Sequence, residues 1–137
     1  MPLRNPPDIG RELSVQVLKA SAVSLTDETD TTIGSALTLT QGTWDVSGWM
    51  AFQPGGGANK VCLIGMMTTT NSEFPAQDSG RRQQSTGQGT DGDDSMIPFP
   101  ITQYVVATTQ TIFMRAYAVF SGGTMAAYGR LRAVKVK

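Results

Sequence analysis

From Thr32 to Phe52 the chain alternates apolar and polar residues in steps of two. Leu37 and Leu39 alternate with Thr38 and Thr40, and Gln41-Gly42 breaks the rhythm. Beyond the break Trp44, Val46, Gly48, Met50 and Phe52 share one face against Thr43, Asp45, Ser47, Trp49 and Ala51. A period of two carried by β-branched and aromatic residues predicts two half-buried strands, joined here by a tight turn at Gln41-Gly42. The same pattern returns in Gln110–Phe120, where Ile112, Met114, Ala116, Ala118 and Phe120 oppose Phe113, Arg115, Tyr117 and Val119. It appears again in Thr124–Lys137, where Met125, Ala127, Leu131 and Ala133 interleave with Tyr128, Arg130, Arg132 and Val134. The core is therefore expected at Leu37, Leu39, Trp44, Val46, Met50, Phe52, Ile112, Met114, Phe120 and Leu131.

Shorter strands fit Leu13–Ala20, with Leu13, Val15 and Val17 on one face, and Ala22–Leu25. Lys60–Thr69 is almost continuously apolar. It reads as a strand buried on both faces, or buried on one and covered by a partner on the other. Pro98 and Pro100 make the first half of Ile97–Val106 an edge strand or a bend, with Tyr104–Val106 as the strand proper and Ala107–Gln110 as a turn. Pro54–Gly57 ends the central pair, and Ser121-Gly122-Gly123 reads as a hairpin turn. About eight short strands with regular turns and no helical period predict an all-β fold, an antiparallel β-sandwich of jelly-roll type. An immunoglobulin-like sandwich is the alternative, but its Cys…Trp…Cys pattern is missing.

Two stretches lie outside this pattern. In Met1–Gly10 the prolines Pro2, Pro6 and Pro7 fix φ and remove donors, which predicts an extended arm over residues 1–12 ahead of a domain at 13–137. The arm has two placements open to it, on its own domain or in the grip of a neighbouring subunit. Asn71–Ser95 is polar and glycine-rich, with Phe74 as its large apolar residue, and reads as a long loop. Structureless connections longer than about 12–15 residues are uncommon in compact domains and are usually functional or disordered.

Composition removes most chemical functions. Eleven basic residues balance eleven acidic ones, which argues against a nucleic-acid binder that must neutralise many phosphates. There is no histidine to serve as base or metal ligand. The lone Cys62 lies in an apolar run, as a small buried thiol would. Carboxylates cluster only in loops, with no second one placed by strand spacing as an acid–base partner. The Asp27–Asp30 turn reads as a solvated loop. Asp91–Asp94 lacks the alternating ligands and distal Glu of a calcium loop, and Pro54–Gly57 lacks the Lys-Ser/Thr and helix of a phosphate loop. No catalytic residue, metal site, cofactor or small-molecule substrate is therefore expected. The sequence also offers no signal peptide and no apolar run near the ~20 residues a membrane helix needs, and its single cysteine excludes an intrachain disulfide. Synthesis in a reducing cytoplasm and no membrane partner follow as expectations.

Function is then expected from surfaces. Phe113, Tyr117 and Val119 share a face with Arg115, the composition of an interface centre, and Trp49 stands on another outward face. Phe74 and the Arg81-Arg82 pair mark the long loop. Pro2, Leu3, Arg4, Pro6 and Pro7 give the arm something to be gripped by. The basic end at Arg130, Arg132, Lys135 and Lys137 contrasts with the acidic Asp27–Asp30 and Asp91–Asp94, a pairing suited to contacts between subunits.

The blocks Val23–Thr26, Thr32–Gly48 and Phe120–Val136 resemble the C1q/TNF-like jelly-roll modules of tailed bacteriophages. In those modules a Leu-Thr-x-Gly-x-Trp-Asp-Val-x-Gly hairpin opens the core and a Phe-x-x-Gly-Thr…Tyr-Gly-x-Leu-x-Ala-x-x-Val strand closes it. The likeness covers residues 22–53 and 104–136, leaving out the arm and the long loop. It implies a virion protein, either a tail-fibre tip or a free-standing capsid cement (decoration) protein. A proline arm after Met1, in place of a fibre shaft, points to the cement type. Such a chain would bind the major capsid protein on the capsid exterior after synthesis in the host cytoplasm. It would associate with itself as a homotrimer, with a homodimer as the alternative. The competing expectation is a receptor-binding tip, whose long loop reads a host glycan or protein with Trp49, Tyr104 and Tyr117 as stacking faces.

Overall fold

Alternation becomes structure as one antiparallel sheet that curls on itself into two layers. The computed structural model describes residues 9–69, 82–90 and 92–137, with the backbone alone for 82–88. Its strands are β1 (Glu12–Val17), β2 (Val23–Leu25), β3 (Thr31–Thr32), β4 (Leu37–Gly55), β5 (Asn59–Thr68), β6 (Arg82–Gly89), β7 (Ser95–Ser121) and β8 (Thr124–Lys135), with a single 3-10 turn at Lys19–Ser21. The strand order is β1-β8-β4-β7-β5-β6, with β2 also on β8 and β3 also on β7.

The long strand β7 belongs to both layers. Its first part pairs with β4, and Phe113–Ser121 pairs with β5. The first layer holds β1, β2, β8, β4 and the start of β7; the second holds β3, the end of β7, β5 and β6. The fold is an all-β antiparallel sandwich. How closely the layers meet shows at Gly65 of β5, where a Cβ would sit 3.3 Å from Met50 Sδ and 3.3 Å from the Phe99 ring of the opposite layer.

Between the layers lie Leu37, Leu39, Trp44, Val46, Met50, Phe52, Ile112, Met114 and Leu131, all buried, with Phe120 partly buried against them. Trp44 has no exposed surface. Its indole Nε1–H donates to the Thr40 carbonyl at 2.9 Å, and the Lys135 ammonium stands 5.8 Å from its ring centroid.

Several turns expected from the sequence are something else. Gln41-Gly42 does not reverse the chain: β4 is one strand of 19 residues. Thr40 pairs with Thr109 and Gly42 with Val106, so Gln41 faces both Ala107 and Thr108 in a β-bulge. The two expected turns, Gln41-Gly42 and Ala107–Gln110, are the two sides of that one bulge. Gly42, at φ 137, takes a conformation that side chains resist. Across the step the buried set of β4 changes from odd positions (Leu37, Leu39) to even ones (Trp44, Val46). A second bulge sets Ser47 against Pro100 and Ile101, which explains how a proline sits inside a strand.

Nor is Ser121-Gly122-Gly123 a hairpin. β7 ends against β5, whereas β8 begins with Thr124 against Gly55 of β4, so the turn carries the chain from one layer to the other. Finally, the stretch read as a long loop at Asn71–Ser95 contains β6, which pairs with β5 from Lys60↔Gly89 to Met66↔Arg82. Its sequence lacks apolar alternation, and it pairs along β5 at the edge of the sheet.

Candidate interaction surface

The outward face of the first layer gathers around Trp49. In register, Trp49 of β4 lies between Pro98 of β7 and Arg130 of β8. Its ring meets Tyr128 edge-on, with centroids 5.8 Å apart and planes at 86°. Beside it a cleft of about 210 Å³ is lined by Ser47, Gly48, Trp49, Arg130 and Arg132.

β1 supplies the counter-charge. Arg132 donates from Nε to Glu12 Oε1 at 2.7 Å and from Nη2 to Oε2 at 3.1 Å, and Arg130 Nη2 lies 3.6 Å from Oε1. The hydrogen bond from Arg132, helped by the charges of both arginines, lowers the Glu12 pKa, and the hydrogen bond to Glu12 with its negative charge raises that of Arg132. All three side chains are exposed, so the cluster orients the arginines more than it stabilises the fold. Two cations against one carboxylate leave the cleft with one positive charge in excess.

At the other end of this face Tyr128 donates to Asp94 Oδ2 at 2.5 Å, and Lys19 Nζ lies 2.9 Å from the same oxygen. The buried Lys60 donates to the Asp93 carbonyl at 2.9 Å and holds the chain where it enters β7. Desolvation works to raise the Asp94 pKa, but hydrogen bonds from Tyr128 and Lys19 outweigh it, and the pKa is lowered. Asp94 therefore contributes stability at neutral pH that is lost as pH falls through its lowered value. The hydrogen bond to Asp94, with some desolvation, pushes Tyr128 up from 10.0 to about 12. A raised phenol pKa means stability present in full below pH 10.0 and lost as pH rises toward about 12. Phenolate absorbance should therefore show one tyrosine ionising near pH 12 in the folded protein, moving toward 10.0 in Asp94→Asn. Ionisation of Tyr128 already near pH 10.0 in the unaltered chain would contradict this assignment.

The second layer does not present the open aromatic face expected of it. Phe113, Tyr117 and Val119 are half-buried and Arg115 is buried. Across the ladder, Met66 pairs with Arg115 and Ile64 with Tyr117, and both are buried as well. Arg115 Nε donates to Asp30 Oδ1 at 3.0 Å, its Nη2 pairs with Asp30 Oδ2, and its Nη1 donates to Thr32 Oγ1 at 2.8 Å. The acidic turn is exposed from Asp27 to Thr29, as a solvated loop is, but two of its carboxylates have partners in the fold. Asp30 serves Arg115, and Asp27 Oδ1 accepts the Phe120 backbone N–H at 2.9 Å.

Of the tyrosines expected to offer stacking faces, Tyr104 is buried and Tyr117 half-buried. Tyr128 was missed, although its place one alternation before Arg130 marked it as outward. Pro2, Leu3, Arg4, Pro6, Pro7, Phe74 and Arg81 lie outside the described residues, as does the side chain of Arg82.

No family model matches the sequence, and no curated protein matches it. Among solved structures, the chain resembles one in the structure of the infectious bursal disease virus Gx strain, with a TM-score of 0.58 and 14% identity over 99% of this chain and 36% of that one. For the Gt strain structure the TM-score is 0.47 at 12% identity, over 99% and 36%. For the infectious bursal disease virus VP2 subviral particle it is 0.41 at 13% identity, over 99% and 37%. At 14% identity the first likeness is one of fold. The chain spans little more than a third of the length of these solved chains.

Proposed function

We propose that this chain is a structural protein of a virion: a capsid cement or decoration protein that binds across major capsid protein subunits on the outside of the head. The observation that carries the proposal is the fold match to the virus structure, which takes in 99% of this chain. The sequence blocks that resemble phage jelly-roll modules support the phage setting. The surface supports adhesion as the activity: an outward patch of Trp49, Tyr128, Arg130 and Pro98 has the aromatic and arginine content of a binding centre. In this role the chain is not an enzyme, holds no cofactor, binds neither nucleic acid nor membrane, and associates with itself as a homotrimer or homodimer.

A second reading has one observation in its favour. The cleft with Trp49 as one wall and Arg130 and Arg132 as another suits an acidic sugar, as on a receptor-binding fibre tip. Particles made without the protein separate the two. Heads that rupture at lower temperature or under milder osmotic shock, yet adsorb normally, support the cement role. Normal rupture with lost adsorption transfers the chain to the receptor role.

A further inference from the structure

We propose that the outer edge of β7 along Ile101, Gln103 and Val105 is a self-association edge, on which the same strand of a second copy pairs antiparallel about a two-fold axis. Along this stretch β7 pairs with β4 on one side, and no other described strand pairs with it there. Val105 and Ile101 are the most exposed large apolar side chains among the described residues, at 81% and 71%. They lie on the outward face together with Gln103, while Tyr104 and Val106 turn inward.

Sheet edges that must stay single are blunted by charge, proline or cover. The outermost strand β1 follows that rule, with Glu12 at its start. In β7, by contrast, no Asp, Glu, Lys or Arg occurs between Asp94 and Arg115. Pro98 and Pro100 guard only the part before Ile101. From Ile101 to Val106 there is neither proline nor glycine; Ile101 belongs to the second bulge, and Thr102–Val106 runs regularly between the two bulges of the β4–β7 ladder.

Charge also selects the occupant. Pairing with the β1 edge of another copy would lay apolar side chains beside the ionised Glu12. The neutral edge of a second β7 matches itself. Antiparallel pairing about Gln103 sets Ile101 of one copy opposite Val105 of the other, twice, with the two Gln103 residues opposite each other at the centre, each amide donating to Asp45 Oδ1 of its own chain at 3.4 Å. Such cross-strand β-branched pairs are favourable. The contact is the same on both chains and closes at two, so the β7 edge is used up and cannot itself propagate a filament.

The test is the mass of the full-length protein in solution by sedimentation equilibrium, with variants. The unaltered chain should sediment as two copies, and Val105→Lys and Ile101→Lys should each return it to one copy without changing its circular dichroism or melting. Gln103→Cys should cross-link to a covalent dimer under mild oxidation, whereas the unaltered chain, with its Cys62 on β5, should not. A mass other than two chains, a dimer that survives both lysine variants, or a dimer in which Gln103→Cys fails to cross-link overturns the proposal.

Discussion

Trp44→Ala should lower the stability of the fold by about 3–5 kcal/mol, the range for truncating a large core aromatic. The indole is completely buried, and its loss removes more than apolar contact. Its N–H is bonded to the carbonyl of Thr40, two residues before the Gly42 bulge. The ring therefore clamps β4 where its buried face changes parity, and alanine leaves that carbonyl without its donor. Trp44→Phe keeps most of the ring and gives up the hydrogen bond, worth about 1 kcal/mol, so it should fall between the two. Urea titration reads this as a lower midpoint at unchanged slope. A loss below about 1 kcal/mol for Trp44→Ala, the median effect of an ordinary substitution, would show that the indole does not hold the bulge.

Asp30→Ala is expected to cost about 3 kcal/mol, the lower end for breaking a buried ion pair. The lower end applies because the Asp30 side chain is 21% exposed, whereas that of Arg115 is 7% exposed. The substitution leaves a guanidinium inside the second layer without its carboxylate. Arg115→Met alone should cost less, since methionine accepts a place beside Met66 more readily than a guanidinium that has lost the Asp30 carboxylate does. Combining the two should recover much of the Asp30→Ala loss, because no charge is then stranded. Denaturant unfolding of the two single variants and the double variant measures the coupling. Purely additive losses would mean that Asp30 and Arg115 act independently.

What the sequence revealed, and what it hid, follows from the physics of alternation. A period of two reports which side chains share a face, and Leu37, Trp44, Ile112 and Leu131 are buried together. A break in that period reports only that the face changes. Both a tight turn and a bulge produce such a break, and both use glycine at positive φ, so Gln41-Gly42 could not be told from a hairpin without its partner strand. The same limit applies at Gly122-Gly123, where local sequence fixes a turn but not the layer that the next strand joins. β6 was illegible for the opposite reason: Arg82–Gly89 carries no apolar alternation, and its register with β5 is a backbone pairing that the local sequence does not announce.

On the surface, composition separated exposed from covered positions poorly. Phe113, Arg115, Tyr117 and Val119 spell an interface as a string, yet the acidic turn and β5 leave them half-buried or buried. Asp30 and Arg115 are far apart in the chain, and nothing local announces their pairing. The uncharged run from Ser95 to Met114 was in plain view. It acquired meaning only once β7 proved to carry an unblunted edge.

The virion role rests most directly on where this chain sits and in what number. Quantitative mass spectrometry of purified particles, normalised to the major capsid protein, measures both when heads and tails are separated first. A cement protein is predicted to fractionate with heads, in copy numbers comparable to those of the shell subunit. A handful of copies per particle, all in the tail fraction, or none at all, would contradict it.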